Sequence, residues 1–153
     1  MKEVNITFFI WLKLVIVNLY WNLKIKYKTD IYKYELNEYW TYPENNEGDC
    51  EDYAIIKRKY LLKYNPKFAV CFTENGTYHA VLVIPGKKNY YILDNRYLMI
   101  KKINNLIDYS WDRIEGDNKW YAIKHPIENK FEFSDVVIPP TGWTYFIKRE
   151  KND

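Results

Sequence analysis

Cysteine is scarce: the 153 residues include only Cys50 and Cys71. Two cysteines cannot build the disulfide framework of a small secreted domain. Cys71 lies in the apolar run Phe68-Ala69-Val70-Cys71-Phe72 and reads as a small buried hydrophobe. Charge of one sign is also lacking. Lys and Arg total 23 against 20 Asp and Glu, a net of +3, which gives no ground for a nucleic-acid or membrane partner. Long hydrophobic runs are missing as well. Residues 8–17 are apolar except for Lys13, far short of the ~20 residues that cross a bilayer. No small-residue cleavage site follows; Val17-Asn18-Leu19-Tyr20-Trp21 is bulky, so a secretory leader is not expected and a cytoplasmic setting is favoured over a periplasmic one. Residues 5–24 are instead expected to form a helix packed on the domain, with a degenerate anchor as the alternative. No internal repeat or low-complexity segment is present. Gly is rare, whereas Lys, Asn, Ile and Tyr abound; this looks like codon bias, and the 16 tyrosines are not read as a binding code.

The length fits a single domain, and a hydrophobic fraction of 48% is ample for a core. Thr41-Tyr42-Pro43-Glu44-Asn45-Asn46-Glu47-Gly48 reads as a loop. A helix follows at once, with Asp49 as N-cap and Asp52 three residues on, as in a capping box. It should run through Leu62 and stop near Asn65-Pro66. Its basic run Lys57-Arg58-Lys59 is expected to be a solvated face. Strands are expected at 68–73, 77–84 and 89–95, joined by Glu74-Asn75-Gly76 and Pro85-Gly86-Lys87-Lys88. Further strands are expected at 120–124 and 144–148, with Pro139-Pro140-Thr141-Gly142 as a turn. A helix followed by an antiparallel meander indicates an α+β domain with the helix on one sheet face.

Gly48-Asp49-Cys50-Glu51-Asp52-Tyr53-Ala54 places a thiol in the first turn of that helix. The partial positive charge there favours thiolate, while Asp49, Glu51 and Asp52 oppose it. The chain has two histidines; His79 lies on a strand, whereas His125 precedes a proline in a loop. Asp94 ends the next strand. If Pro85–Lys88 closes a four-residue hairpin, Ile84 faces Asn89 and His79 faces Asp94, on one sheet face. A type II turn at Pro85-Gly86 would shift the pairing by two and make the contact diagonal, still on that face. A thiol, an imidazole and a carboxylate that orients it are the parts of an acyl-transfer machine.

These residues resemble the bacterial transglutaminase-like cysteine peptidases, relatives of periplasmic calcium-dependent enzymes that clip adhesins. The likeness rests on Glu38-Tyr39-Trp40-Thr41-Tyr42-Pro43-Glu44 and the Cys50 motif, then on His79-Ala80-Val81-Leu82 and Ile92-Leu93-Asp94-Asn95-Arg96, and weakly on Asp108-Tyr109. It spans about residues 18–123, the core of one domain that carries an N-terminal helix and a C-terminal extension at 125–153. The resemblance implies a papain-like, transglutaminase-like fold, with Cys50 as nucleophile, His79 as general base then acid, and Asp94 as orienter. It implies the Cys50 backbone N–H as one oxyanion donor. Trp40 would be a second donor, a wall of the substrate cleft, or a core residue. Calcium would be held through Asp49 and Glu51, with Asp52 adjacent; the alternative is that these acids only stabilise the helix N-terminus. The chemistry needs no cofactor. The implied activity is hydrolysis of a peptide or isopeptide bond in a protein or peptide substrate. Acyl transfer to an amine differs only in the acceptor. A peptidoglycan amidase, or a binding module that kept the fold without turnover, are the other readings.

Overall fold

The computed structural model describes residues 1–29 and 40–152. Glu38 and Tyr39 fall at 30–39, outside the described residues. Three helices and nine strands are described: α1 (Phe8–Lys24), β1 (Lys26–Tyr27), β2 (Glu47–Gly48), α2 (Cys50–Tyr60), β3 (Lys67–Phe72), β4 (Tyr78–Pro85), β5 (Tyr90–Leu93), β6 (Lys101–Lys102), β7 (Ser110–Glu115), β8 (Trp120–Ile127), β9 (Lys130–Val137) and α3 (Thr141–Asn152). The short strands β1 and β2 pair in parallel, and the other seven form an antiparallel sheet in the order β6-β5-β4-β3-β7-β8-β9.

Residues Ala80 to Ile84 are all buried, so β4 is covered on both faces. Alternate residues serve two cores, as expected when neither side meets water. Ala80, Leu82 and Ile84 join Phe68 and Val70 beneath Ala54 and Ile55 of α2, Leu14 of α1 and Phe146 of α3. Val81, Val83 and Ile92 join Ala69, Cys71, Tyr109, Ile114 and Phe131 on the other side. The sheet curls over that second core, and the tip of the β8–β9 hairpin reaches β5 through a Tyr90 N–H to Asn129 carbonyl bond of 2.8 Å. The N-terminal apolar run packs on the domain, with Leu14 and Val15 in the core. No described helix is long and apolar enough to cross a membrane.

Three expectations need correction. The β4–β5 register pairs Ile84 with Tyr91 and Pro85 with Tyr90, so the direct opposition of His79 and Asp94 gives way to the other contact expected, a diagonal one on the same face. Strand β4 extends to Pro85 because Val4 docks on the turn, accepting from Lys87 N (2.9 Å) and donating to the Pro85 carbonyl (2.8 Å). Gly86 permits the tight turn itself: a Cβ there would lie 2.4 Å from the Asn89 carbonyl oxygen. Second, residues 144–148 are helical, not extended. Trp143, Phe146 and Ile147 recur at helical spacing and pack on the first core, and Pro139-Pro140 precedes the first turn instead of breaking a strand pair. Third, Lys57 is fully buried and not part of a solvated face. Strands β7 and β9 were hidden by charges such as Asp112, Arg113, Glu132 and Asp135, which sit where those strands are partly open to solvent.

Candidate active site

Cys50 is the first residue of α2. The turn before it is fixed by Asp52, whose carboxylate accepts from Asp49 N at 3.2 Å and from Thr41 N at 3.3 Å. Gly48 makes room for this fold-back, since a Cβ there would sit 2.7 Å from the Asp52 Cβ. The thiol lies 3.1 Å from Glu51 Oε2 and 3.4 Å from the backbone N of Ala80. The helix start is thereby set against the residue that follows His79, at the beginning of β4.

His79 Nε2 is 2.7 Å from Asp94 Oδ1. Asp94, at the end of β5, also accepts from Arg96 N at 2.9 Å on Oδ1 and from the Tyr109 hydroxyl at 2.5 Å on Oδ2. The three side chains are withdrawn from water: Cys50 is 7% exposed, His79 5% and Asp94 1%. The Tyr109 ring stands edge-on to the imidazole, with centroids 5.7 Å apart. Arg96 donates to the Tyr109 hydroxyl at 3.2 Å and forks onto Glu74 at 2.6 and 3.2 Å. Burial alone would raise the Asp94 carboxyl. The hydrogen bond and charge of His79, with the donations from Tyr109 and Arg96 N, reverse this and hold it below its ordinary range. Asp94 is therefore an ionised acceptor, the imidazole presents an N–H at Nε2, and Nδ1 is left for other partners.

The thiol is pushed the other way. Burial, then the charges of Glu51 and Asp49, raise Cys50 well above an ordinary cysteine, and the Ala80 N–H offsets only part of this. The helix terminus does not by itself make a thiolate here. Asp49 and Glu51 are buried beside the thiol, whereas both oxygens of Asp52 serve backbone amides. Among the described residues no group of three or more His, Cys, Asp or Glu side chains is placed to hold a metal ion. Asp49 and Glu51 are hard oxygen donors of the kind calcium takes, but they supply two carboxylates toward its six to eight oxygens.

Trp40 belongs to the core and not to a cleft. It is completely buried, edge-on to Phe68 and Trp120, and a Cβ on Gly142 would be 2.1 Å from its Cδ1. Of the readings offered for it, the core one agrees with this depth: α3 closes over it. His125 lies on β8 opposite Glu132 and not in a loop; it is exposed, 3.4 Å from Glu132, and takes no part in the site. Cys50 and Cys71 are both free thiols. Beside His79 lies a cleft of about 280 Å³ lined by Tyr27, Thr73, Thr77, Tyr78, Asn95 and Arg96. A larger hollow of about 790 Å³ between α3 and the β7–β8 turn contains none of Cys50, His79 or Asp94, whereas the smaller one is lined by His79 alone of the three. Arg96 escaped sequence reasoning as a site residue. Tyr109 was signalled only by the weak Asp108-Tyr109 match.

A Cys-bearing helix start thus lies against the strand that carries His79, and the pair His79–Asp94 spans that strand and the end of the next on an α+β scaffold. The chain belongs to the family of bacterial transglutaminase-like cysteine proteinases (BTLCP), which it matches over residues 1–127, and it is accordingly a cysteine peptidase. The match takes in α1 as well as the stretch read from the sequence. Among solved structures it is similar to Legionella pneumophila LapG in a calcium-bound form, with 22% identity and a TM-score of 0.70 over 91% of this chain and 79% of that one. LapG as such and after EGTA treatment each give 22% identity and a TM-score of 0.67 over 90% and 77%. At that identity the likeness establishes the transglutaminase-like fold. No curated protein matches at the sequence level.

Proposed function

We propose that the chain hydrolyses a peptide or isopeptide bond in a protein substrate through Cys50, His79 and Asp94, and that residues 1–153 act as one domain. The observation that carries this reading is the 2.7 Å His79–Asp94 pair next to a helix start whose thiol touches Ala80 N. His79 Nδ1 takes the proton from Cys50 Sγ as the sulfur adds to the scissile carbonyl. Asp94 holds the ring in the required tautomer and stabilises the imidazolium. The Cys50 N–H, unpaired within the helix because it lies in the first turn, faces the developing oxyanion. The imidazolium then protonates the leaving amine, and the acyl group remains on Cys50 as a thioester. Water, deprotonated by His79, releases the carboxylic acid and restores the thiol. An amine in place of water would give acyl transfer by the same steps, and competition between the two in one assay measures the partition.

Calcium enters the reading through Asp49 and Glu51, not Asp52. A cation between those two carboxylates would screen the charges that oppose thiolate formation. One of the LapG structures is described as calcium-bound.

The test is a peptide-library digest read by mass spectrometry, wild type against Cys50→Ala. Loss of all cleavage by a variant with an unchanged circular dichroism spectrum supports the reading; cleavage by Cys50→Ala overturns it.

A further inference from the structure

Lys57 lies seven residues after Cys50, about two turns along the same helix. Its side chain is fully buried, and a buried ammonium is costly unless it is hydrogen-bonded. Lys57 Nζ donates to Asn18 Oδ1 at 2.8 Å and to Asn22 Oδ1 at 2.6 Å, both on α1. The amide nitrogens of the same asparagines point to the segment that follows β5. Asn18 Nδ2 donates to the carbonyls of Tyr97 and Leu98, each at 3.0 Å. Asn22 Nδ2 donates to the carbonyls of Asp94 at 2.8 Å and Tyr97 at 2.7 Å. The amide orientation is dictated chemically, since an ammonium only donates and a carbonyl only accepts. One cation on the nucleophile's helix thus orients two amides, and these grip three carbonyls of the segment that begins with Asp94.

We infer that Lys57, acting through Asn18 and Asn22, is a positioning residue that fixes the Asp94 segment relative to the helix carrying Cys50. The inference rests on the Cys50–His79–Asp94 reading. It assigns α1 a role that its apolar packing alone would not require, because Asn18 and Asn22 break an otherwise hydrophobic face to reach across to the loop. The field of Asp94 acts on Lys57 in the same sense as the hydrogen bonds: burial pulls the ammonium down to about 7, and Asp94 opposes that. Without the cation the two amide oxygens lose their donor, the side chains are free to turn, and Asp94 loses its backbone anchor while keeping its side-chain partners.

The test is a double-mutant cycle on the full chain, with iodoacetamide as probe and the alkylation rate of Cys50 read by mass spectrometry. Lys57→Met and Asn22→Asp are made alone and with Asp94→Asn. Asn22→Asp keeps an acceptor for Lys57 but loses the donors to the Asp94 and Tyr97 carbonyls; should Lys57→Met not fold, it carries the test alone. Each variant is expected to slow Cys50 alkylation about tenfold in the wild-type background and less than about twofold in the Asp94→Asn background, because groups acting through one partner are non-additive. Equal slowing in both backgrounds overturns the clamp and leaves the triad standing. If Asp94→Asn alone leaves alkylation unchanged, the triad reading falls and the clamp falls with it.

Discussion

The Tyr109 hydroxyl donates to Asp94 Oδ2 at 2.5 Å, on the oxygen opposite the one that serves His79. The buried carboxylate is therefore held from both sides, and its second oxygen cannot be left to water. Tyr109→Phe removes that donor and one of the two acceptors of Arg96 Nη1. Leaving a buried charged acceptor short of a partner costs roughly 1–3 kcal/mol. Chemical denaturation at neutral pH is expected to show that loss. Because the Asp94 pKa is depressed in the folded state, its stabilisation is present above the unfolded value of about 3.9 and fades as pH falls through the folded one. The gap between wild type and Tyr109→Phe should accordingly narrow at acid pH.

Lys57 gives a pH signature of the same sign in a higher window. Burial lowers its folded pKa from 10.5 to about 7. Between these values the unfolded chain binds a proton that the folded chain has shed, so stability rises with pH. Below the folded pKa both states are protonated and the slope vanishes. Urea midpoints at pH 7 and 9 should show a gain for wild type on the order of 2 kcal/mol that Lys57→Met lacks. Parallel profiles for the two proteins would show that the buried amine does not titrate in this window.

Calcium chloride is expected to raise the melting temperature relative to EDTA, and Asp49→Asn or Glu51→Gln to abolish the rise. Asp52→Asn should behave differently. It weakens the helix cap by about 1 kcal/mol but keeps the calcium shift, because Asp52 already serves Asp49 N and Thr41 N. A melting temperature indifferent to calcium removes the ion from the account.

Gly142→Ala probes the closure of α3 over Trp40. The added methyl would meet the indole at 2.1 Å, and overpacking of this kind costs about 1–3 kcal/mol. Thermal melts should show a matching loss with Cys50 reactivity retained.

The helix start at Cys50 and the shared face of His79 and Asp94 were legible because both depend on local rules, a cap pattern in one case and period-two alternation in the other. The register was not, because Val4, more than 80 residues upstream of the strand end it sets, holds the Pro85–Gly86 turn. Lys57 read as solvent-facing since charge on a helix usually is; its partners Asn18 and Asn22 are 39 and 35 residues away. The helix at 141–152 was mistaken for turn and strand because aromatic residues such as Trp143 and Tyr145 fit either period over so short a window.

The most direct measurement is the pH dependence of iodoacetamide labelling at Cys50 in wild type and His79→Ala, with Cys71 as internal control. Burial and neighbouring acids raise Cys50 well above an ordinary thiol, and burial raises Cys71 too, so only transfer of the proton to His79 can make Cys50 reactive near neutrality. Labelling of Cys50 near pH 7 is expected to outpace that of Cys71 and to fall at least about tenfold in His79→Ala. Cys50 labelling only at alkaline pH, at the same rate in both proteins, would contradict that proton transfer.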